Sequence, residues 1–335
     1  MGKVGKYSLE FENAFLAETT TVTGALEKQG PLGGYFDKSY QDLYCGEDSW
    51  EKAEMRLMAD AIDLLLDKAN LDIKDIDCIL AGDLINQVVI SNYVMRDLGA
   101  PYLGIYGACS TSVEGLLIGS AFIDGGFGSK IICTTSSHNA TSERQFRNPT
   151  EYGGQKPPET TYTVTGAAAG LLTNIRSPIQ VKRATIGRVY DPKIKNASDL
   201  GRSMAPSAAQ TIIDHFEDFN IGPSEYDLIV TGDLSKYGSK VLREILELHN
   251  YNVSANYNDC GLMIFDINTQ PVFAGGSGCG CCGIVSYSYI YHQLLTGAIK
   301  KALIVATGAL LNPIVTAQKE TIPGIAHAIS LERID

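Results

Sequence analysis

The chain is predicted to be an α/β protein made of two similar halves, on three observations. First, Ile76-Asp77-Cys78-Ile79-Leu80-Ala81-Gly82-Asp83-Leu84 matches Tyr226-Asp227-Leu228-Ile229-Val230-Thr231-Gly232-Asp233-Leu234, with Gly82 and Gly232 standing 150 positions apart. Each segment has the look of a buried strand ending in a glycine turn. Second, an apolar helical spacing precedes both: Met55, Met58, Ile62, Leu65, Leu66 and Ala69 in one case, Met204, Ala208, Ile212, Phe216 and Phe219 in the other. Third, Gly107-Ala108-Cys109-Ser110 and Gly276-Ser277-Gly278-Cys279-Gly280 each precede a helix and then a strand. Two βαβ-rich halves with buried apolar strands imply mainly parallel or mixed sheets covered by helices.

In order along the chain, Asp48 with Glu51 three residues on signals the start of the first long helix. An extended stretch, Tyr102 to Tyr106, runs into the small-residue elbow Gly107-Ala108-Cys109-Ser110-Thr111-Ser112, followed by a helix over Val113 to Ile123 and a strand over Lys130 to Thr135. At a helix N-terminus, unpaired backbone N–H groups favour a thiolate and attract anions, so Cys109 marks the place for chemistry or anion capture. Residues 136–165 form a polar insertion containing His138, Asn139, Arg144, Arg147, Tyr152, Gly153, Gly154 and Lys156, expected as a lid over the elbow. Arg176-Ser177-Pro178 breaks the pattern, dividing the chain into residues 1–176, which carry Cys109 and the lid, and 177–335. The second half is expected to place a helix over Ile284 to Leu295 and a strand over Ala302 to Thr307.

Composition bounds the function. The 335 residues are 44% hydrophobic and 19% charged, enough for a large core. A net charge of −11 and a pI near 5.0 argue against nonspecific affinity for nucleic acid or anionic lipid. No apolar run is long enough to span a bilayer, and the first residues lack the features of a secretory signal, so residence on the cytosolic side is expected. The eight cysteines then read as reduced thiols.

Two tempting motifs are set aside. Gly278-Cys279-Gly280-Cys281-Cys282-Gly283 satisfies GxGxxG, but no acidic residue follows at the distance a dinucleotide ribose requires. The same run lacks the paired CxxC spacing of zinc sites, and small-residue packing at a tight turn explains it better. Asp83 and Asp233, at the ends of equivalent strands, are expected to cap their own turns.

The elbow, the duplication, Thr163-Val164-Thr165-Gly166-Ala167-Ala168-Ala169-Gly170 and Gly275-Gly276-Ser277-Gly278 together resemble the thiolase and ketoacyl-synthase superfamily. That resemblance implies a five-layer αβαβα sandwich, with homodimerisation as the usual state. More narrowly, Gly30-Pro31-Leu32-Gly33, Thr135-Ser136-Ser137-His138-Asn139-Ala140-Thr141, Glu143-Arg144-Gln145-Phe146-Arg147, Tyr152-Gly153-Gly154-Gln155-Lys156-Pro157 and Gln318-Lys319-Glu320-Thr321-Ile322-Pro323 resemble the stage V sporulation protein AD family. The resemblance implies binding of dipicolinic acid, alone or as its calcium chelate, for uptake into the developing spore. It further implies no cofactor, integral membrane proteins of a sporulation complex as partners, and a peripheral place on the spore inner membrane.

Condensing enzymes of the superfamily pair their cysteine with basic or hydrogen-bonding groups from the second half. Motif comparison puts Gly232 or Asp233 where an initiating ketoacyl synthase has histidine, and Ser277 where it has asparagine. None of His138, His215, His249, His292 and His327 falls on those positions. The reading that follows is a non-catalytic ligand site at Cys109, Ser110, His138, Asn139, Arg144, Arg147 and Ser277. Arg144 and Arg147, three apart, could clamp a carboxylate from one helix face, or bridge to neighbouring acids in solvent. His138 and Asn139 either face the cavity or close a strand end. The competing readings are an acyl-CoA-dependent transferase using Cys109, and a scaffold with a vestigial cavity.

Overall fold

The computed structural model describes residues 2–147 and 155–334, so Tyr152, Gly153 and Gly154 of the expected lid lie outside the described residues. Ten strands carry the architecture: β1 Phe15–Thr23, β2 Cys78–Gly82, β3 Tyr102–Gly104, β4 Lys130–Ser137, β5 Gly166–Thr173, β6 Ile179–Thr185, β7 Leu228–Thr231, β8 Tyr257–Asp259, β9 Lys301–Ala309 and β10 Gly324–Arg333. Their spatial order is β8-β7-β9-β10-β6-β1-β5-β4-β2-β3. Each set of five therefore runs first, fifth, fourth, second, third, outward from a shared centre where Gln180 of β6 bridges Phe15 of β1. The pairings repeat too: β2 is parallel to β3 and β4, as β7 is to β8 and β9, while β5 and β10 are antiparallel to both their neighbours.

Parallel neighbours need crossovers, and helices supply them. The longer helical segments are α1 Trp50–Ala69, α2 Val89–Leu98, α3 Thr111–Asp124, α4 Asn139–Gln145, α5 Leu200–Phe219, α6 Ser235–Leu248 and α7 Cys279–Val285, the last continuing through a π turn at Ser286–Ile290. Helix α1 covers β1 and β5 on one outside face, and α5 covers β9 and β10 on the other. Between the sheets, α3 touches β4 and β5 on one side and β9 and β10 on the other, with α7 beside it. The result is the five-layer αβαβα sandwich, with a central core around Leu116, Leu172, Ile284 and Ile304 and an outer core under each covering helix.

The duplication reaches down to the helix ends. Helix α1 stops at Asn70 and α5 at Asn220, both left-handed with φ 52°, and in each case the next N–H reaches back to the carbonyl five residues earlier, Leu71 to Leu66 and Ile221 to Phe216. The start of α1 differs from expectation by one residue. Ser49 is the cap, its Oγ accepting from Lys52 N, while Asp48 pairs with the Lys52 ammonium at 2.8 Å. Strand β4 extends through Ser137, and Asn139–Gln145 is helical, so the beginning of the expected lid is buried ordered structure.

One close approach joins the halves at the elbow. A Cβ on Gly308 of β9 would lie 2.3 Å from the Gly107 carbonyl oxygen, backbone that cannot swing aside. Gly308→Ala is therefore expected to lower unfolding stability by about 1–3 kcal/mol. Gly34→Ala, where nothing lies within 4 Å, should stay within about 0.5 kcal/mol of the parent in the same urea titration.

Candidate functional site

The elbow is built from its own small residues. Ala108 takes φ 52°, and a Cβ on Gly107 would meet Ser110 Oγ at 2.5 Å and Glu114 Oε2 at 2.8 Å, so a larger residue there would displace the Ser110 hydroxyl from the turn. Ser110 Oγ donates to Gly107 O at 2.6 Å, and Thr111 Oγ1 donates to Ala108 O at 2.6 Å while accepting from Gly107 N at 3.0 Å. These bonds hold Cys109 at the entrance to α3, facing the second half, and engage Ser110 in the turn itself.

What meets Cys109 is Asp233, just past β7. Its Oδ1 accepts from Thr307 Oγ1 of β9 at 2.6 Å, and its Oδ2 accepts from Ser277 Oγ at 3.0 Å and Gly278 N at 2.9 Å. The Cys109 thiol faces the same carboxylate, near enough that each shifts the other's pKa. Both groups are buried. Burial raises the Asp233 pKa above the ordinary carboxylate value, opposed by those donors. Burial also pushes the thiol well above its ordinary value, with the Asp233 charge next in effect and the Arg147 guanidinium opposing it. The thiolate expected from a helix N-terminus is thus overridden by desolvation and a neighbouring carboxylate.

Arg147 continues the network outward. Its Nη1 donates to Thr161 O at 2.5 Å and its Nη2 to Ser277 Oγ at 2.9 Å, so guanidinium, hydroxyl and carboxylate form one hydrogen-bonded chain that ends facing the thiol. A narrow cleft of about 50 Å³ opens here, lined by Cys109, Arg147, Tyr106, Phe146, Leu84, Leu311 and Asn312 among others. By volume it admits a few water molecules.

Other predicted residues lie apart from this chain. Arg144 forms an ion pair with Glu51 and lies over the Trp50 ring at 5.2 Å; α4 ends at Gln145, so the two arginines do not form a clamp on one helix face. His138 caps α4, its Nδ1 accepting from Ala140 N at 3.2 Å, and its Nε2 donates to Leu43 O at 2.8 Å; burial depresses its pKa to about 4. Asn139 is buried, with its backbone N–H donating to Thr165 Oγ1 at 3.0 Å. The other histidines are engaged elsewhere: His215 with Thr185 and Tyr226, His249 with Ile245 O, His292 against Tyr35, and His327 with Gly187 N. The structure joins Cys109, Arg147 and Ser277, and the residue that joins them is Asp233. The expectation that Asp233 caps its own turn is corrected. Asp83 does cap locally, accepting from Ile85 N and Ser91, whereas the Asp233 carboxylate accepts from Thr307, Ser277 and Gly278, outside its own turn. The available signal was its alignment with the histidine of initiating synthases.

The family model described as stage V sporulation protein AD (SpoVAD) matches residues 5–332. The chain belongs to the stage V sporulation protein AD family. Its relative of that name in Bacillus subtilis strain 168 is 50% identical over 334 residues, covering 99% of this chain and 98% of the relative. Among solved structures, 3-oxoacyl-[acyl-carrier-protein] synthase III from Aquifex aeolicus VF5 is similar at TM-score 0.55 and 14% identity, covering 98% of this chain and 100% of that one. Cerulenin-bound OleA from Xanthomonas campestris is similar at TM-score 0.64 and 11% identity, covering 97% and 100%. These likenesses place the family on the thiolase-type fold. No helix among the described residues is long and apolar enough to cross a membrane.

Behind α4 a second buried carboxyl makes a titration testable. Glu54 accepts from Ser136 Oγ at 3.1 Å and Thr141 Oγ1 at 2.7 Å, and burial with the Asp83 charge raises its pKa to about 8. Burial likewise raises Asp259 and Glu27 to about 7. The folded state keeps these protons where the unfolded chain has released them, so stability falls as pH rises toward 8. Below pH 6.5 the trend is opposed by His138 and His327, lowered to about 4, because the unfolded chain then binds the extra protons. The urea midpoint is therefore expected to fall between pH 6.5 and 8, and Glu54→Gln to flatten that fall. A midpoint that rises over this interval, or an unchanged slope in the variant, contradicts the assignment.

Proposed function

We propose that the chain is a non-catalytic member of the thiolase fold that captures dipicolinic acid, alone or as its calcium chelate, for uptake into the developing spore. In this reading it passes the ligand to integral membrane proteins of the same sporulation complex, sits peripherally on the spore inner membrane and forms a homodimer. Membership in a sporulation family supports the biological setting.

The observation that carries the chemical half is the Cys109 thiol buried against the Asp233 carboxylate. Attack by sulfur requires its proton to move to a base. The titratable group facing that proton is a carboxylate already satisfied by Thr307, Ser277 and Gly278, while the thiol is pushed well above its ordinary pKa. Transfer between them runs uphill, and none of the five imidazoles hydrogen-bonds to the sulfur.

Ligand capture uses what remains. The cleft of about 50 Å³ is too small to take a pyridine dicarboxylate down to the sulfur. A flat diacid therefore seats at the mouth, its ring against Phe146 and Tyr106 and its charge facing Arg147, which is suited to a carboxylate.

Calorimetry tests this directly. Wild type and Cys109→Ser are expected to bind dipicolinate equally, Arg144→Ala to stay within about twofold, and Arg147→Ala to weaken binding by about tenfold or more, the scale of a charged hydrogen bond. Absence of heat with millimolar dipicolinate defeats the reading, and acyl-Cys109 found by intact mass after incubation with acyl-CoAs establishes the transferase instead. In light scattering the expected mass is twice 36.1 kDa, and a monomer contradicts the dimer.

A further inference from the structure

A groove that shares no lining residue with the Cys109 cleft opens beside the start of α1. Its volume is about 580 Å³, the size of a binding site, and it lies open to solvent between Tyr44, Trp50 and Tyr162 with Leu26, Leu43 and Pro271.

The walls are fixed by bonds of their own. Gln270 Nε2 donates to Leu26 O at 2.8 Å, joining the Pro271 side to the Leu26 side, and the Leu43 carbonyl accepts from His138 Nε2 at 2.8 Å. Tyr162 N donates to Gly275 O at 2.9 Å, and its ring stands edge-on to Phe265 with centroids 5.7 Å apart. Trp50 opens α1 behind its Ser49 cap, with its ring centroid 6.1 Å from that of Tyr44. Tyr44 is nonetheless 48% exposed, a large ring left facing water. A preformed apolar groove spares an incoming chain much of the ordering cost of binding.

Charge decides what fills it. Asp42 is the charged residue of the lining, exposed, with its Oδ1 accepting from Tyr44 N at 2.7 Å and Cys45 N at 3.1 Å. The neighbouring carboxylates each have a cation: Asp48 has Lys52, Glu51 has Arg144 and Glu47 has Arg56. Among the described residues no cation pairs with Asp42, so an uncompensated negative charge stands at the apolar wall. Aromatic rings favour cations as well, and a chain of net charge −11 attracts a basic partner and repels an anionic one.

We propose that this groove docks a cationic segment of a partner protein, with an apolar side chain packed against Tyr44, Trp50 and Tyr162 and an adjacent lysine or arginine paired with Asp42. Cytosolic loops beside membrane spans are rich in lysine and arginine. An integral membrane protein as owner of the segment rests on the reading given under Proposed function; the preference for a basic, apolar segment does not.

Trp50 is the single tryptophan of the chain, so its emission reports on this groove alone. The probes are acetyl-Leu-Lys-Leu-Arg-Leu-Lys-amide and the same peptide with glutamine in place of its lysines and arginine. The cationic peptide is expected to shift Trp50 emission saturably, and the glutamine peptide to bind about threefold or more weakly, the scale of an exposed ion pair. Asp42→Asn, which keeps the Oδ1 acceptor, should bind both peptides alike. Tyr44→Ala should weaken both by about fivefold or more through the apolar area lost. Both variants are expected to bind dipicolinate as wild type does, so a failed groove leaves that reading standing and a failed dipicolinate titration leaves the groove standing. A cationic peptide that leaves wild-type emission unchanged, or that binds either variant undiminished, overturns the inference. So does an emission shift that follows protein concentration without peptide, which assigns the groove to a second copy, or one produced by phosphatidylcholine vesicles, which assigns it to a bilayer.

Discussion

A buried carboxylate must be compensated, and the compensation of Asp233 organises the centre of this molecule. Its three hydrogen-bond donors are Thr307 on β9 and Ser277 and Gly278 before α7, and it is faced by the Cys109 thiol at the entrance to α3. The first three belong to the second half and the last to the first half, so the interaction crosses the seam between the duplicated units. The close approach of Gly308 to Gly107 fixes the separation across that seam. The carboxylate thereby keeps the proton on sulfur, and Ser277 passes its charge on to Arg147 at the surface. One acidic residue thus stands between the thiol, whose pKa its charge helps to raise, and the cation outside it.

The duplicated halves make the contrast sharp. Asp83 and Asp233 follow equivalent strands, yet Asp83 bonds Ile85 and Ser91 on its own side. Cys109 and Cys279 occupy equivalent elbows, yet Cys279 donates to the Ser136 carbonyl at 2.9 Å and is fully buried. Shared backbone geometry thus carries different chemistry in each half, which is why function is argued from the site rather than the fold.

Much of the architecture was legible because it depends on local pattern. Buried apolar strands ending in Gly-Asp-Leu, and helices ending at Asn70 and Asn220, repeat at one spacing and produce one strand order in both halves. The elbow was legible for the same reason, since Gly107 and its small neighbours mark a crowded turn. Side-chain partners were harder, because they come from distant segments. Ser49 and Asp48 are both acceptable caps, and only the path into α1 selects between them. Arg144 and Arg147 stand three apart in sequence, but the end of α4 separates them, sending one to Glu51 and Trp50 and the other to Thr161 and Ser277. The helical, buried start of the expected lid was hidden by its polar composition, whose serine and threonine hydroxyls are turned inward onto Glu54.

The state of the Cys109 proton is the claim from which the rest follows. Its most direct measurement is the pH dependence of iodoacetamide alkylation, followed at Cys109 by peptide mass spectrometry in the folded protein, with Asp233→Asn alongside. The account predicts a wild-type rate that stays low through the ordinary thiol range near pH 9 and rises at lower pH once the Asp233 charge is removed. Half-maximal alkylation of wild-type Cys109 below about pH 8 would show a stabilised thiolate and contradict it.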